Sequence, residues 1–207
     1  TPELARQIDA AETLAQLEDL YLPYKPKRRT RATVAREKGL QELADLITVQ
    51  VVTSETLAEI AAPFLNDQVA TTAEALAGAR DIVAETISDH AEVRGMAREK
   101  ALRWGLLVVE KVPTAEDARG VYRDYYGLTS RIDRLRPHQV LAINRGEADK
   151  VLRVRLDLAE RDWRSAVLHS FRPDPRSPLA EQLELAIADT AERLLLPAIE
   201  RDVRRTL

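Results

Sequence analysis

TAEALAGARDIVAETI, residues 72–87, places Leu76, Ala79, Val83 and Ile87 at intervals of three, four and four. That spacing returns to one side of a 3.6-residue helix, so it predicts one long helix starting near Thr72. The composition extends the reading to the whole chain. Thirty alanines and 28 leucines stand beside seven glycines and 4% aromatics in 207 residues, which suits helix packing and argues against an all-β barrel or sandwich.

On the amino-terminal side, Thr56 to Ala62 reads as a short helix ended by Pro63, and Leu43, Leu46 and Ile47 mark another. Thr30 can cap a helix that closes at Gly39. Helix, tight turn and helix resemble a helix-turn-helix, with Ala35 and Gly39 four apart; Lys38 and Asp45 stand where that motif wants apolar residues. Thr1-Pro2-Glu3 is a helix start. Leu4, Ile8, Ala11 and Ala15, widened by Leu14 and Leu17, carry the first helix to about Leu20, where Pro23 and Pro26 stop it.

On the carboxy-terminal side, a helix covers Ala91 to Trp104. LLVVEKV at 106–112, bounded by Gly105 and Pro113, and the alternating 150–158 segment with Val154, Leu156 and Leu158 then form a two-stranded ribbon. Helices are expected at Ala115–Tyr126, His138–Arg145, Trp163–Phe171 and Leu179–Leu207, the last kinked or restarted at Pro197. Arg172 to Pro178 is the most linker-like stretch. The fold class is mainly α: a multi-helix scaffold with a helix-turn-helix-like element and a small two-stranded β-ribbon, divided into a helical subdomain at 1–105 and a ribbon-bearing one at 106–207.

Little in the chain points to catalysis. His90, His138 and His169 lie far apart, with no HExxH, no GxGxxG, no phosphate-binding GxxxxGK[ST] and no GxSxG. There is no cysteine, and the acids alternate with bases on helices, so neither a metal, a cofactor nor an enzymatic activity is expected. No apolar run spans a bilayer, and the expectation is a cytoplasmic protein.

The net charge of −3 conceals one basic segment. Lys25, Lys27, Arg28, Arg29, Arg31, Arg36 and Lys38 against Glu37 give +6 over residues 22–38 and leave −9 elsewhere. Beside these cations stand Tyr21 and Tyr24. As an extended arm held by alternating prolines, Lys25, Lys27, Arg28, Arg29, Arg31 and Arg36 could contact phosphates while the two rings stack on bases. The alternative is a core latch, with the tyrosines packed between helices and the cations paired to the acidic remainder.

The string LYLPYKPKRRTRATVA at 20–35 resembles the signature of the Tex family, bacterial transcription accessory proteins related to a eukaryotic elongation factor and histone chaperone. TPELARQI at 1–8, PHQVLAINRGE at 137–147 and RLLLPAIERDVRRTL at 193–207 agree in the same order, with a departure at Gln139, where the family pattern suggests arginine. The resemblance implies a fragment. It lacks the family's amino-terminal helices and ends before an RNase-H-like domain, helix-hairpin-helix domains and an OB-fold barrel to which nucleic-acid binding is chiefly attributed. It implies RNA or DNA and the transcription machinery as partners of the full-length protein; the alternative is a protein-interaction scaffold that docks those missing domains or a transcription partner without touching nucleic acid, which an exposed apolar face on Leu179–Leu207 would favour. It also raises a nuclease reading, against which this chain offers no acidic cluster for two metals.

Overall fold

A computed structural model describes residues 2–25 and 29–207. The Thr1 cap, Pro26, Lys27 and Arg28 therefore lie outside the described residues. The chain forms two compact units, one of Thr1–Gly95 with Ser165–Leu196 and one of Met96–Arg164 with Pro197–Leu207. The chain crosses between them three times, where the sequence reading divided it once, after residue 105.

In the first unit, α1 (Pro2–Asp9) and α2 (Leu14–Tyr21) replace the single expected first helix. The break has a local cause. Thr13 accepts from the Gln16 N–H, and the Gln16 side chain accepts back from the Thr13 N–H, a reciprocal cap that starts a new helix. Next come α3 (Arg31–Glu37), capped by Thr30, and α4 (Gln41–Val49), with Gly39 between them at φ 81°. α5 (Leu57–Ala61) follows, with a capping box between Thr56 and Glu59.

The long helix α6 (Thr72–Asp89) organises this unit. Leu76, Ala79, Val83 and Ile87 are all buried, as their spacing requires, and Ala75, Ile82 and Ala84 are buried too, so the stripe is wider than one face. α3, α4, α5 and α10 (Ala180–Asp189) all pack on it. Fully buried Leu43, Ile47, Ile82, Leu183 and Ile187 each contribute roughly 1.5–3 kcal/mol by leaving water. The expected linker at 172–178 is tied down in this unit. Gln50, at φ 57°, accepts from the Asp174 N–H, and the Ser177 hydroxyl donates to the Val51 carbonyl. Beyond α10 a π-helical stretch at Thr190–Leu195 precedes α11 (Leu196–Thr206), so the disturbance expected at Pro197 occurs one turn earlier.

α7 (Ala91–Trp104) leads into the sheet of the second unit. Its strands are β1 (Leu106–Lys111), β2 (Thr129–Arg131) and β3 (Leu152–Asp157), in the order β2-β1-β3 and antiparallel throughout. The expected two-stranded ribbon is thus a three-stranded sheet. A three-residue edge strand carries too short an alternation to show in the sequence. Leu107 and Val109 of β1 and Leu152 and Val154 of β3 point into the core of this unit.

The helix expected at 115–126 does not form; turns and a 3₁₀ turn at Arg123–Tyr125 occupy the stretch. Gly120 and Gly127 adopt φ of 62° and 73°. Asp117 accepts from the Val121 and Tyr122 N–H groups and from the Tyr126 hydroxyl, drawing the chain into a knot that competes with helix. α8 (Pro137–Ala148) runs past Arg145, where the helix was expected to end, and the left-handed residue is Lys150, at φ 58°; α9 (Glu160–Ser170) follows β3.

Candidate nucleic-acid interface

The basic segment starts at the end of α2 and runs through α3. Its beginning is not the extended arm expected from two prolines: Leu22–Tyr24 is a 3₁₀ turn with Pro23 near its start, where a missing N–H is harmless. Lys25 then takes extended angles.

The described cations do not all face water alone. Arg29 donates to Glu37 at 2.9 Å, both side chains being more than half exposed. Arg36 donates to Glu85 of α6 at 2.7 Å and to Gln41 at 2.9 Å; Glu85 is only 12% exposed at its side chain. Arg31 is exposed, but its charge helps to hold the Asp189 carboxyl low, after a larger effect from the Arg193 hydrogen bond. On Asp81 desolvation dominates and raises the carboxyl, with Arg193 and Arg31 opposing it. Arg193 bridges Asp81 and Asp189, so Arg31 stands at the edge of a charge network linking α6 to α10. Lys25 and Arg36 line a pocket of about 420 Å³ together with Glu85, Asp89 and His90.

The rings lie on a different surface. Tyr21 and Tyr24, 56% and 62% exposed, line an apolar groove of about 350 Å³ with Ile8, Leu14 and Leu17 of α1 and α2. Arg36 is not among its walls. The structure therefore brings Lys25 and Arg36 together and Tyr21 and Tyr24 together, but not the two sets.

α4 would be the recognition helix of a helix-turn-helix. It exposes Glu42 and Asp45 and contains no basic residue, so its outer face is unsuited to phosphate.

The histidines are dispersed. His90 packs edge-on against Phe171 at 5.2 Å, and burial lowers its pKa against a smaller opposing effect of Glu92. His169 lies 3.2 Å from Glu92. Among the described residues no group of three His, Cys, Asp or Glu side chains could hold a metal ion, and no helix is long and apolar enough to cross a membrane.

The sequence reading missed the exposure of the first hairpin. Periodicity identified Leu14 and Leu17 as part of an apolar stripe, but a stripe does not say whether anything covers it. Leu14 is 71% exposed.

Comparison with known proteins settles the relationship. The Tex central region-like family model matches residues 53–207. The chain belongs to the Tex family. It is 41% identical to protein Tex of Bordetella pertussis over 76% of its length, and 36% identical to the transcriptional accessory protein Tex of Neisseria gonorrhoeae over 88%. A Bacillus subtilis protein is 36% identical over the whole chain. The Tex chain described here spans only 20 to 29% of the length of these relatives, which makes it a fragment of a longer type of protein.

Proposed function

We propose that this Tex-family chain is a non-catalytic scaffold whose main surface docks polypeptide, namely the parts of the longer protein that lie outside these residues. The observation that supports this is the apolar groove of α1 and α2, with Leu14, Tyr21 and Tyr24 all more than half exposed and lining one continuous groove rather than scattered singly. On the last helices Leu179, Leu183, Ile187, Leu195 and Ile199 are fully buried, and the exposed Leu185 and Leu207 lie 22 residues apart in sequence. The length of the relatives supplies the occupant, since most of each lies beyond what this chain covers.

The test compares this chain with the full-length protein by hydrogen exchange and by binding of an apolar dye. Residues 4–24 exchange more slowly in the full-length protein, and dye binding drops. Leu14→Ser with Tyr24→Ser restores fast exchange in the full-length protein without unfolding this chain. Equal exchange over residues 4–24 in both proteins would exclude the reading.

A second reading, RNA or DNA contact through the basic segment in support of transcription, keeps one specific observation. The Arg29–Glu37 pair is solvent-exposed and therefore worth little, so Arg29 can exchange Glu37 for phosphate. Fluorescence anisotropy with single-stranded RNA and duplex DNA, at low and physiological salt, reads it. Loss of affinity in an Arg29→Ala, Arg31→Ala variant supports the contact, and unchanged affinity removes it.

A further inference from the structure

A second set of cations differs from the basic segment in the feature that matters for binding. Trp104 closes α7 and is 44% exposed, although indole is among the side chains that gain most from burial. Lys100 Nζ lies 5.3 Å and Arg103 Cζ 5.1 Å from its ring centroid. Neither cation forms an ion pair with a carboxylate among the described residues; each is held by the indole π-face alone. Arg131 of β2 adds a third cation, donating to the Arg103 carbonyl at 2.8 Å while Asp133 offsets part of its charge. In the basic segment, by contrast, Arg29 and Arg36 are engaged by carboxylates.

From this we propose that Lys100, Arg103, Trp104 and Arg131 form a stacking platform for single-stranded nucleic acid. Indole offers a face to any base regardless of its identity. A guanidinium and an ammonium attached to the same ring reach the phosphates on either side of the stacked base. Lys100 and Arg103 have no ion pair among the described residues to lose when they turn to phosphate, whereas Arg131 shares its charge with Asp133. Two cations with no carboxylate partner among the described residues favour a polyanion over an apolar polypeptide, for which the cations at the rim would have to be desolvated. The platform is independent of the groove at residues 4–24 and of the basic segment, and the three can fail separately.

The chain contains two tryptophans, and the other, Trp163, is buried, so 5-fluorotryptophan labelling gives two fluorine resonances that Trp104→Phe assigns. Titration with a 15-nucleotide oligo(U) and with oligo(dT) shifts the Trp104 resonance and leaves Trp163 in place. Lys100→Ala with Arg103→Ala weakens binding about tenfold at low salt. For two phosphates released from single strands, the slope of log affinity against log salt is about −1.4, and the same variant brings it close to zero. Arg29→Ala with Arg36→Ala leaves the Trp104 shift unchanged.

A Trp104 resonance that stays put at saturating oligonucleotide overturns the proposal. So does equal affinity in the Lys100, Arg103 double variant. A Trp104 resonance that ignores both oligonucleotides but differs between this chain and the full-length protein assigns the surface to polypeptide, and overturns it as well.

Discussion

Gly146→Ala and Gly95→Ala are the same chemical change on two helices, and the structure gives them opposite signs. An alanine Cβ at Gly146 in α8 would stand 2.5 Å from Leu152 Cδ1, 2.8 Å from Leu152 Cγ and 3.0 Å from Tyr122 Cδ1. Neither neighbour can swing into water: Leu152 is 2% and Tyr122 5% exposed, and the Tyr122 hydroxyl is bonded to Asp149. At Gly95 in α7 nothing lies within 4 Å of the added carbon. Replacing a helical glycine by alanine gains about 1 kcal/mol of helix propensity, and forcing a methyl into a packed core costs about 1–3 kcal/mol. Gly95→Ala is therefore stabilised by up to about 1 kcal/mol, and Gly146→Ala is destabilised by roughly 1 kcal/mol net. The two variants differ by about 2 kcal/mol, which for a chain of this size separates their melting temperatures by roughly 4–8 °C. Urea and thermal melts followed by far-ultraviolet circular dichroism measure the difference. Adding Leu152→Val to Gly146→Ala removes a methyl from the crowded contact and recovers part of the loss, a coupling that a purely backbone effect would lack. If Gly146→Ala is as stable as the parent, or if Leu152→Val adds its own loss in full, the close-approach account of Gly146 is wrong.

Two further outcomes follow from buried charges. Asp19 of α2 accepts from Arg94 of α7 at 2.7 Å, with both side chains less than a tenth exposed. Removing the acid takes a charge-assisted hydrogen bond from a buried guanidinium, so Asp19→Ala costs roughly 1.5–3 kcal/mol. Amide exchange should accelerate over residues 14–21 while 72–89 stay protected, and uniform acceleration across both would show that the pair does not hold the hairpin locally. His90 responds to pH. Its folded pKa is depressed by burial, so as pH falls through about 6.5 the unfolded chain takes up the proton first, and stability declines until the folded imidazole titrates as well. Stability measured from pH 7 down to pH 5 therefore falls more steeply in the parent than in His90→Phe; parallel curves would contradict the sign.

The sequence was legible where one physical signal dominated. Leu76, Ala79, Val83 and Ile87 announced α6 because their period has one geometric solution, and Thr30 and Gly39 bracketed α3 because a hydroxyl cap and a left-handed glycine are strong local stops. It was misleading where two signals competed. Residues 115–126 have helical spacing, but Gly120, Gly127 and the Asp117 carboxylate each favour turns, and together they won. The Thr13 and Gln16 cap broke a stripe that periodicity alone would continue. Gly146 looked like a helix end because glycine usually serves that role, whereas here it admits Leu152 and Tyr122 against the helix backbone, a purpose that depends on residues distant in sequence. Burial of the candidate site was not legible at all. Leu14 is as apolar in sequence as Leu43, and only the packing shows that the first faces water and the second does not.

Charge density in a sequence and charge available for binding are different quantities, and the two basic clusters of this chain separate them. The segment 22–38 carries +6, yet Arg36 sits against a carboxylate that is itself largely buried, and Arg29 is held by Glu37. Each must give up a charge-assisted hydrogen bond, worth little at Arg29 but more at Arg36, whose partner Glu85 is largely buried. Lys100 and Arg103 form no ion pair among the described residues, and the indole that holds them offers the surface a base would stack on. A phosphate contact at Arg36 is therefore partly cancelled by what it breaks, whereas one at Arg103 is not. The same reasoning gives the basic segment a structural role through Arg36, which ties α3 to α6, and predicts that Arg36→Ala lowers stability before it lowers any affinity. A melting temperature unchanged by Arg36→Ala, together with weaker RNA binding, would reverse that order and return the segment to the role of a phosphate-contacting arm.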